Sequence, residues 1–204
     1  MNPTEYEKNV LITESSDFDL IKSRIDDRMI RLLHSGLGFN SELSELSDAY
    51  SAPKDDKLDW VNIAEEASDL AWYVAVAVNA LGFDHEEISA TEHEADRFII
   101  KNSEPSLRAA ILAGVWAAGN YNDLLKKHLF YGKELNLDKM KESLQQLCVA
   151  ISGLCVVSGT TIEEGRQTNI DKLRARYGEK FTAAAALNRN LEVERKILEE
   201  GTQS

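Results

Sequence analysis

Two pairs of acidic residues stand out in this chain because of their spacing. The first is Glu42-Leu43-Ser44-Glu45 and the second is Glu66-Ala67-Ser68-Asp69. Residues three apart on a helix share a face, so each pair aims two carboxylates in one direction. If the two helices pack antiparallel, Glu42, Glu45, Glu66 and Asp69 meet in one place. Four carboxylates so close together need cations, and hard oxygen donors of this kind suit Mg²⁺, with Mn²⁺ as the alternative. The expected metal ligands and catalytic residues are therefore these four, and one glutamate, Glu45 for instance, would also orient or deprotonate a water. Glu65 lies about 100° around the helix from Glu66. It is expected to sit behind the ligands or in solvent.

The elements that must carry these residues read as helices throughout. Leucine, isoleucine and alanine recur at three- and four-residue spacing, strand signals are almost absent, and only three prolines occur, Pro3, Pro53 and Pro105. The pattern predicts helices over 17–34, 40–51, 58–81 and 85–102, with a break at Gly36 and Gly38 and a loop over 51–57 around Pro53. A second set is expected over 105–128, 138–158 and 162–177, followed by a polar helix over 182–199. The fold class is all-α, with a four-helix-bundle core and an extra C-terminal helix.

The second set resembles a faded copy of the first. Residues 65–70 match 142–147 and residues 82–88 match 159–165, both 77 apart. On that register Ser143 stands for Glu66 and Gln146 for Asp69. Upstream the offset shrinks to 75, so Ala117 stands for Glu42 and Asn120 for Glu45. Each proposed carboxylate is thus present in the first copy and missing from the second. The divisions are 17–102, 103–181, and 182–204 for the C-terminal helix and tail.

Composition narrows the function classes. The 204 residues carry a formal net charge of −12, which argues against binding a nucleic-acid polymer. A nucleotide arriving with its own metal is not excluded. With 43% hydrophobic residues the chain can bury a core. No apolar run is long enough to span a membrane and no signal peptide is read. Cys148 and Cys155 lie about 10 Å apart along one helix, too far for a disulfide, and fit a reducing cytoplasm as core residues. His34, His85, His93 and His128 lack zinc-ligand spacing. There is no GxxxxGK[ST] phosphate loop, so any phosphate chemistry rests on carboxylate-held metal. Trp60, Trp72 and Tyr73 read as core, and Trp116 as filler for a pocket that lost its metal. Lys126, Lys127 and Lys133 read as a solvated loop.

The order ExxE, spacer, ExxD, continued by Asp69-Leu70-Ala71-Trp72-Tyr73, resembles the MazG-like all-α nucleoside triphosphate pyrophosphohydrolases. That superfamily includes dimeric dUTPases and phosphoribosyl-ATP pyrophosphohydrolases. The stretch Asn169-Ile170-Asp171-Lys172-Leu173-Arg174-Ala175-Arg176-Tyr177 with Glu179-Lys180-Phe181 resembles the tail of phage-type members. Lys126 to Lys133 resembles their inter-helix loop, whereas Ala49 to Lys57 does not. The resemblance implies Mg²⁺-dependent cleavage of a (deoxy)nucleoside triphosphate into monophosphate and pyrophosphate, serving a nucleotide pool in the cytoplasm, the host's if the chain is phage-borne. It implies that Lys172 and Arg176 hold phosphates and that Asn169 touches sugar or base. Carboxylates in one copy and tail in the other imply a subunit pair folded into one chain with one live site. Pairing of whole chains into a homo-oligomer is left open. The rival reading is a non-catalytic helical interaction or adaptor protein, which requires the acidic pairs to face bulk solvent.

Overall fold

Apolar helix faces must find partners, and in the computed structural model, which describes residues 1–51 and 57–201, they find one another. The protein is all-α, with no regular strand among the described residues. In chain order the helices are α1 (Pro3–Thr13), α2 (Phe18–Lys22), α3 (Asp27–Ser51), α4 (Trp60–Leu81), α5 (His85–Ser89), α6 (Glu104–Tyr131), α7 (Leu137–Ser158), α8 (Ile162–Tyr177), α9 (Ala183–Leu187) and α10 (Leu191–Gly201), with a single 3₁₀ turn at Asp96–Phe98.

Four long helices form the core. α3 packs on α4, α4 on α7, α7 on α6 and α6 on α3, closing a ring. Phe39, Leu43, Leu70, Val74, Tyr121, Leu147 and Leu154 are among the side chains that fill it. Partners run in opposite order along α3 and α4, from Arg31 with Asn79 to His34 with Tyr73 and Glu42 with Glu66, so these two helices are antiparallel. α8 then lies along α4, while α5 lies against α7. The helices that follow α4 and α7 therefore each cross to the other helical pair.

The helix starts keep one interval. α3 and α6 begin at 27 and 104, α4 and α7 at 60 and 137, α5 and α8 at 85 and 162, all 77 apart. α4 and α7 are both 22 residues long. Asp59 and Asn136 cap their starts, and Gly82 and Gly159 end them in the left-handed conformation that glycine adopts at least cost. The starts of α3 and α6 keep the interval of 77, whereas the residue match of Glu42 with Ala117 and Glu45 with Asn120 runs at 75.

Several boundaries differ from expectation. α3 runs unbroken through Gly36 and Gly38. A Cβ at Gly38 would overlap the Tyr73 ring and one at Gly36 would overlap Asn122, so these glycines permit close helix approach and do not stop the helix. The real interruption lies between α2 and α3, where the Asp26 carboxylate accepts from the Met29 N–H at 2.7 Å and starts α3 anew. The helix expected over 85–102 ends at Ser89. Beyond it Glu92 pairs with Arg166, and Ser152 donates to Asp96 at 2.8 Å. The expected 182–199 helix is two pieces, α9 and α10, because Asn188 closes back onto the Ala184 carbonyl and Asn190 caps Val193. Lys126 and Lys127 belong to the last turns of α6, not to a loop, and both pair with Asp123. α1 was not anticipated; it buries none of its residues. Pro53 and most of the loop expected around it lie outside the described residues.

Candidate metal centre

The acidic site begins with facing turns of α3 and α4. Glu42 and Glu66 point inward and are only 9% and 5% exposed, while Glu45 sits at the outer edge. One carboxylate oxygen from each of Glu42, Glu45 and Glu66 lies within 4.8 Å of the others. The Ser41 hydroxyl donates to Glu42 at 2.9 Å. Burial, then the charge of Glu45, a hydrogen bond to the Glu42 carboxylate and the charges of Glu65 and Asp69 push the Glu66 carboxyl up to about 10. Burial likewise raises Glu42. Without a cation the centre therefore retains a proton that ordinary glutamates give up.

Asp69 plays a different part. Lys172 of α8 donates to both its oxygens, at 2.8 and 2.6 Å, and to Glu65 at 3.0 Å. Asn169, one turn earlier, also donates to Asp69. Lys172 is 1% exposed. Burial alone would discharge it, but Asp69 and Glu65 outweigh that and hold the ammonium above its ordinary value. The four predicted acids thus meet around one pocket, as three clustered glutamates with Asp69 beside them, anchored to a lysine. Asn169 and Lys172 are not among the residues that line this pocket; both are buried behind it as internal partners of Asp69. Glu65, expected behind the ligands or in solvent, is the second anchor of Lys172.

α8 owes its position to a small residue and a cap. Gly165 meets Ser68 of α4 so closely that a Cβ would stand 2.8 Å from the Ser68 hydroxyl oxygen. Thr161 and Glu164 form a reciprocal capping box that starts α8. One turn after Lys172, Arg176 turns from the acids to Glu194 of α10, through its Nε at 2.9 Å and its Nη2 at 2.6 Å. The sequence assigned Arg176 to phosphate; here a buried carboxylate holds it, and raises its already high pKa.

The pocket encloses about 1360 Å³, with an acidic floor, an aromatic wall and a basic rim. His34, Trp72 and Tyr73 pack edge-to-face on one side, with ring centroids 5.0 to 5.9 Å apart, and Tyr177 and Phe181 stand together among its lining residues. Trp72 therefore borders the cavity, although it read as core. Arg174, Lys180 and Arg189 contribute positive charge. Trp60 packs against the core as expected. Trp116 fills no pocket; it is 59% exposed on α6. Cys148 and Cys155 are free and buried, and burial pushes both thiols up to about 12.

Glu65, Arg189 and Glu194 are the site residues that sequence reasoning did not select. Glu65 adjoins Glu66, and helical phase alone points it away from the ligands. Nothing local marks Arg189 or Glu194, since their partners lie on α4 and α8. No family model, no curated protein and no solved structure matches this chain.

Proposed function

We propose that the chain is a divalent-metal-dependent nucleotide pyrophosphohydrolase that cleaves a (deoxy)nucleoside triphosphate to the monophosphate and pyrophosphate. The observation that carries this reading is the Glu42, Glu45 and Glu66 cluster on the floor of a large pocket. Three hard oxygen donors close enough to share one ion, two of them buried, fit Mg²⁺ or Mn²⁺. When bound, such an ion polarises phosphoryl oxygens and makes water a stronger nucleophile.

The chain's own residues supply the rest. Glu45, the outermost of the three, is placed to accept a proton from the attacking water. That water oxygen bonds to the α-phosphorus, the bond to the bridging oxygen breaks, and pyrophosphate leaves with the electron pair. Asp69 is oriented by Lys172 and Asn169, which keeps the rim of the acidic floor rigid. The aromatic wall offers an apolar surface for a base, and the basic rim offers charge for phosphates.

The common interval of 77 between helix starts supports reading the molecule as two fused copies. α8 of the second copy crosses to α4 of the first and completes this pocket. In the reciprocal place α7 offers Ser143 and Gln146, and Glu92 and Ala95 stand where Asn169 and Lys172 would, so we assign one active centre per chain. The adaptor reading needs the acidic pairs turned to bulk solvent, and the burial of Glu42 and Glu66 favours the hydrolase.

The test is pyrophosphate release from each standard ribo- and deoxynucleoside triphosphate with Mg²⁺. At least one should be turned over, and Glu66→Gln should slow that turnover by about a hundredfold or more, the scale of losing a central electrostatic group. No release from any nucleotide with Mg²⁺ or Mn²⁺ would refute the proposal.

A further inference from the structure

The charges along the pocket alternate. From the acidic floor outward they run Asp69, Lys172, Glu65, Arg189, Glu194, Arg176, each in contact with the next. Arg189 and Glu194 come from the C-terminal segment, beyond the two repeats, and Arg176 comes from α8. Glu194 is 3% exposed, and its carboxylate accepts four N–H bonds from two guanidiniums. Arg176 gives Nε at 2.9 Å and Nη2 at 2.6 Å; Arg189 gives Nε at 3.1 Å and Nη2 at 2.7 Å. Two guanidiniums repel unless something stands between them. Here one carboxylate fixes both and leaves the group with one excess positive charge.

We propose that Arg189 is a phosphate-binding residue of this pocket, presented together with Arg176 by the buried carboxylate of Glu194. The inference rests on the pyrophosphohydrolase reading for the identity of the substrate. Both arginines line the cavity. Arg189 spends its Nε edge on Glu194, so the Nη1 side of its planar fork is left for a second anion, a geometry suited to phosphate. Its Nη2 also lies 3.9 Å from Glu65, which contacts Lys172, which in turn holds Asp69. A polyphosphate chain anchored over the acidic floor therefore has this guanidinium within its length.

The fold sets Arg189 in place deliberately. It sits at the break between α9 and α10, where Asn188 and Asn190 turn the chain. α10 is docked by Leu198, which is buried, and by Arg195, which pairs with the α4 cap Asp59 at 2.7 Å. The C-terminal helix thereby holds a cation against the mouth of a pocket built by the other helices. A bare surface ion pair would not require a carboxylate as deeply buried as Glu194.

The experiment compares wild type with Arg189→Ala and Arg189→Lys. It measures KM and kcat for the turned-over nucleotide, and, separately, the Kd of inorganic tripolyphosphate with Mg²⁺ by calorimetry, which needs no catalysis. Arg189 is 41% exposed, so both variants should fold, and thermal melting checks this. Arg189→Ala should raise KM and Kd about tenfold, the scale of one charge-assisted hydrogen bond, with kcat nearly unchanged. Arg189→Lys should recover part of both. Unchanged KM and Kd in a folded Arg189→Ala would overturn the proposal, and so would wild type that fails to bind tripolyphosphate. If wild type binds tripolyphosphate but releases no pyrophosphate from any nucleotide, the hydrolase reading fails, and weaker tripolyphosphate binding by Arg189→Ala would still uphold the phosphate clamp.

Discussion

Lys172 is the residue whose surroundings differ most from its expected task. The family resemblance implies a phosphate contact, yet its ammonium is buried and spends its hydrogen bonds on Asp69 and Glu65. A buried cation of this kind is tolerated only while its partners remain. Lys172→Met should destabilise the fold by about 3 kcal/mol in metal-free protein, because Asp69 and Glu65 are left facing one another with only the Asn169 amide and the more distant Arg189 in place of the buried ammonium. Denaturant unfolding measures this directly, and a loss under about 1 kcal/mol would mark the pair as an ordinary surface bridge. The carboxylates themselves were legible in the sequence because three-residue spacing fixes which side chains share a helix face. Their unequal roles were not. Whether Asp69 joins the glutamates or turns to a lysine depends on α8, more than a hundred residues away in the chain.

At the scale of elements, periodicity located the long helices well and their interruptions poorly. α8 was legible to the residue, since Thr161 and Glu164 cap its start and Gly178 follows its end. Gly36 and Gly38 misled because a glycine in a helix reads as a breaker until the neighbouring helix is known. Asn122 and Tyr73 supply the reason that glycine is needed there, and both lie far away in sequence. The same logic applies where α8 meets α4. Gly165→Ala would set a methyl group 2.8 Å from the Ser68 oxygen, at a place where helix backbones approach closely. Separation of the two helices should cost about 1 to 3 kcal/mol and shift Lys172 away from Asp69. A lower melting temperature with a raised KM is the expected outcome; wild-type stability would show that α8 can slide without penalty. The C-terminal break at Asn188 to Asn190 was hidden because helix-favouring residues flank it and only the side-chain bonds of the asparagines reveal the turn.

Over the whole molecule, the buried acids make stability depend on pH in a definite direction. In the folded protein the Glu66 carboxyl is raised from its ordinary 4.5 to about 10. At pH below 4.5 it is protonated in both folded and unfolded chains and contributes no difference. As pH climbs above that value, the unfolded chain releases the proton while the folded chain keeps it, so folding is progressively disfavoured up to about pH 10. Glu42, also raised, acts in the same sense. A divalent ion that binds the folded chain reverses the penalty by neutralising the ionised acids, and its stabilising effect follows mass action. The all-α bundle was legible as a class because every long segment repeated at helical spacing. The crossing of α5 and α8 to opposite helical pairs was not, since it is a property of how the two halves dock.

The most direct measurement is therefore the melting temperature across pH 5 to 9, with and without millimolar Mg²⁺, for wild type and Glu66→Gln. Metal-free wild type should melt lower as pH rises, Mg²⁺ should raise its melting temperature most at the alkaline end, and Glu66→Gln should lose most of both responses. Melting curves of wild type that ignore Mg²⁺ and show no decline with pH would contradict the claim that these acids converge on a cation-demanding pocket.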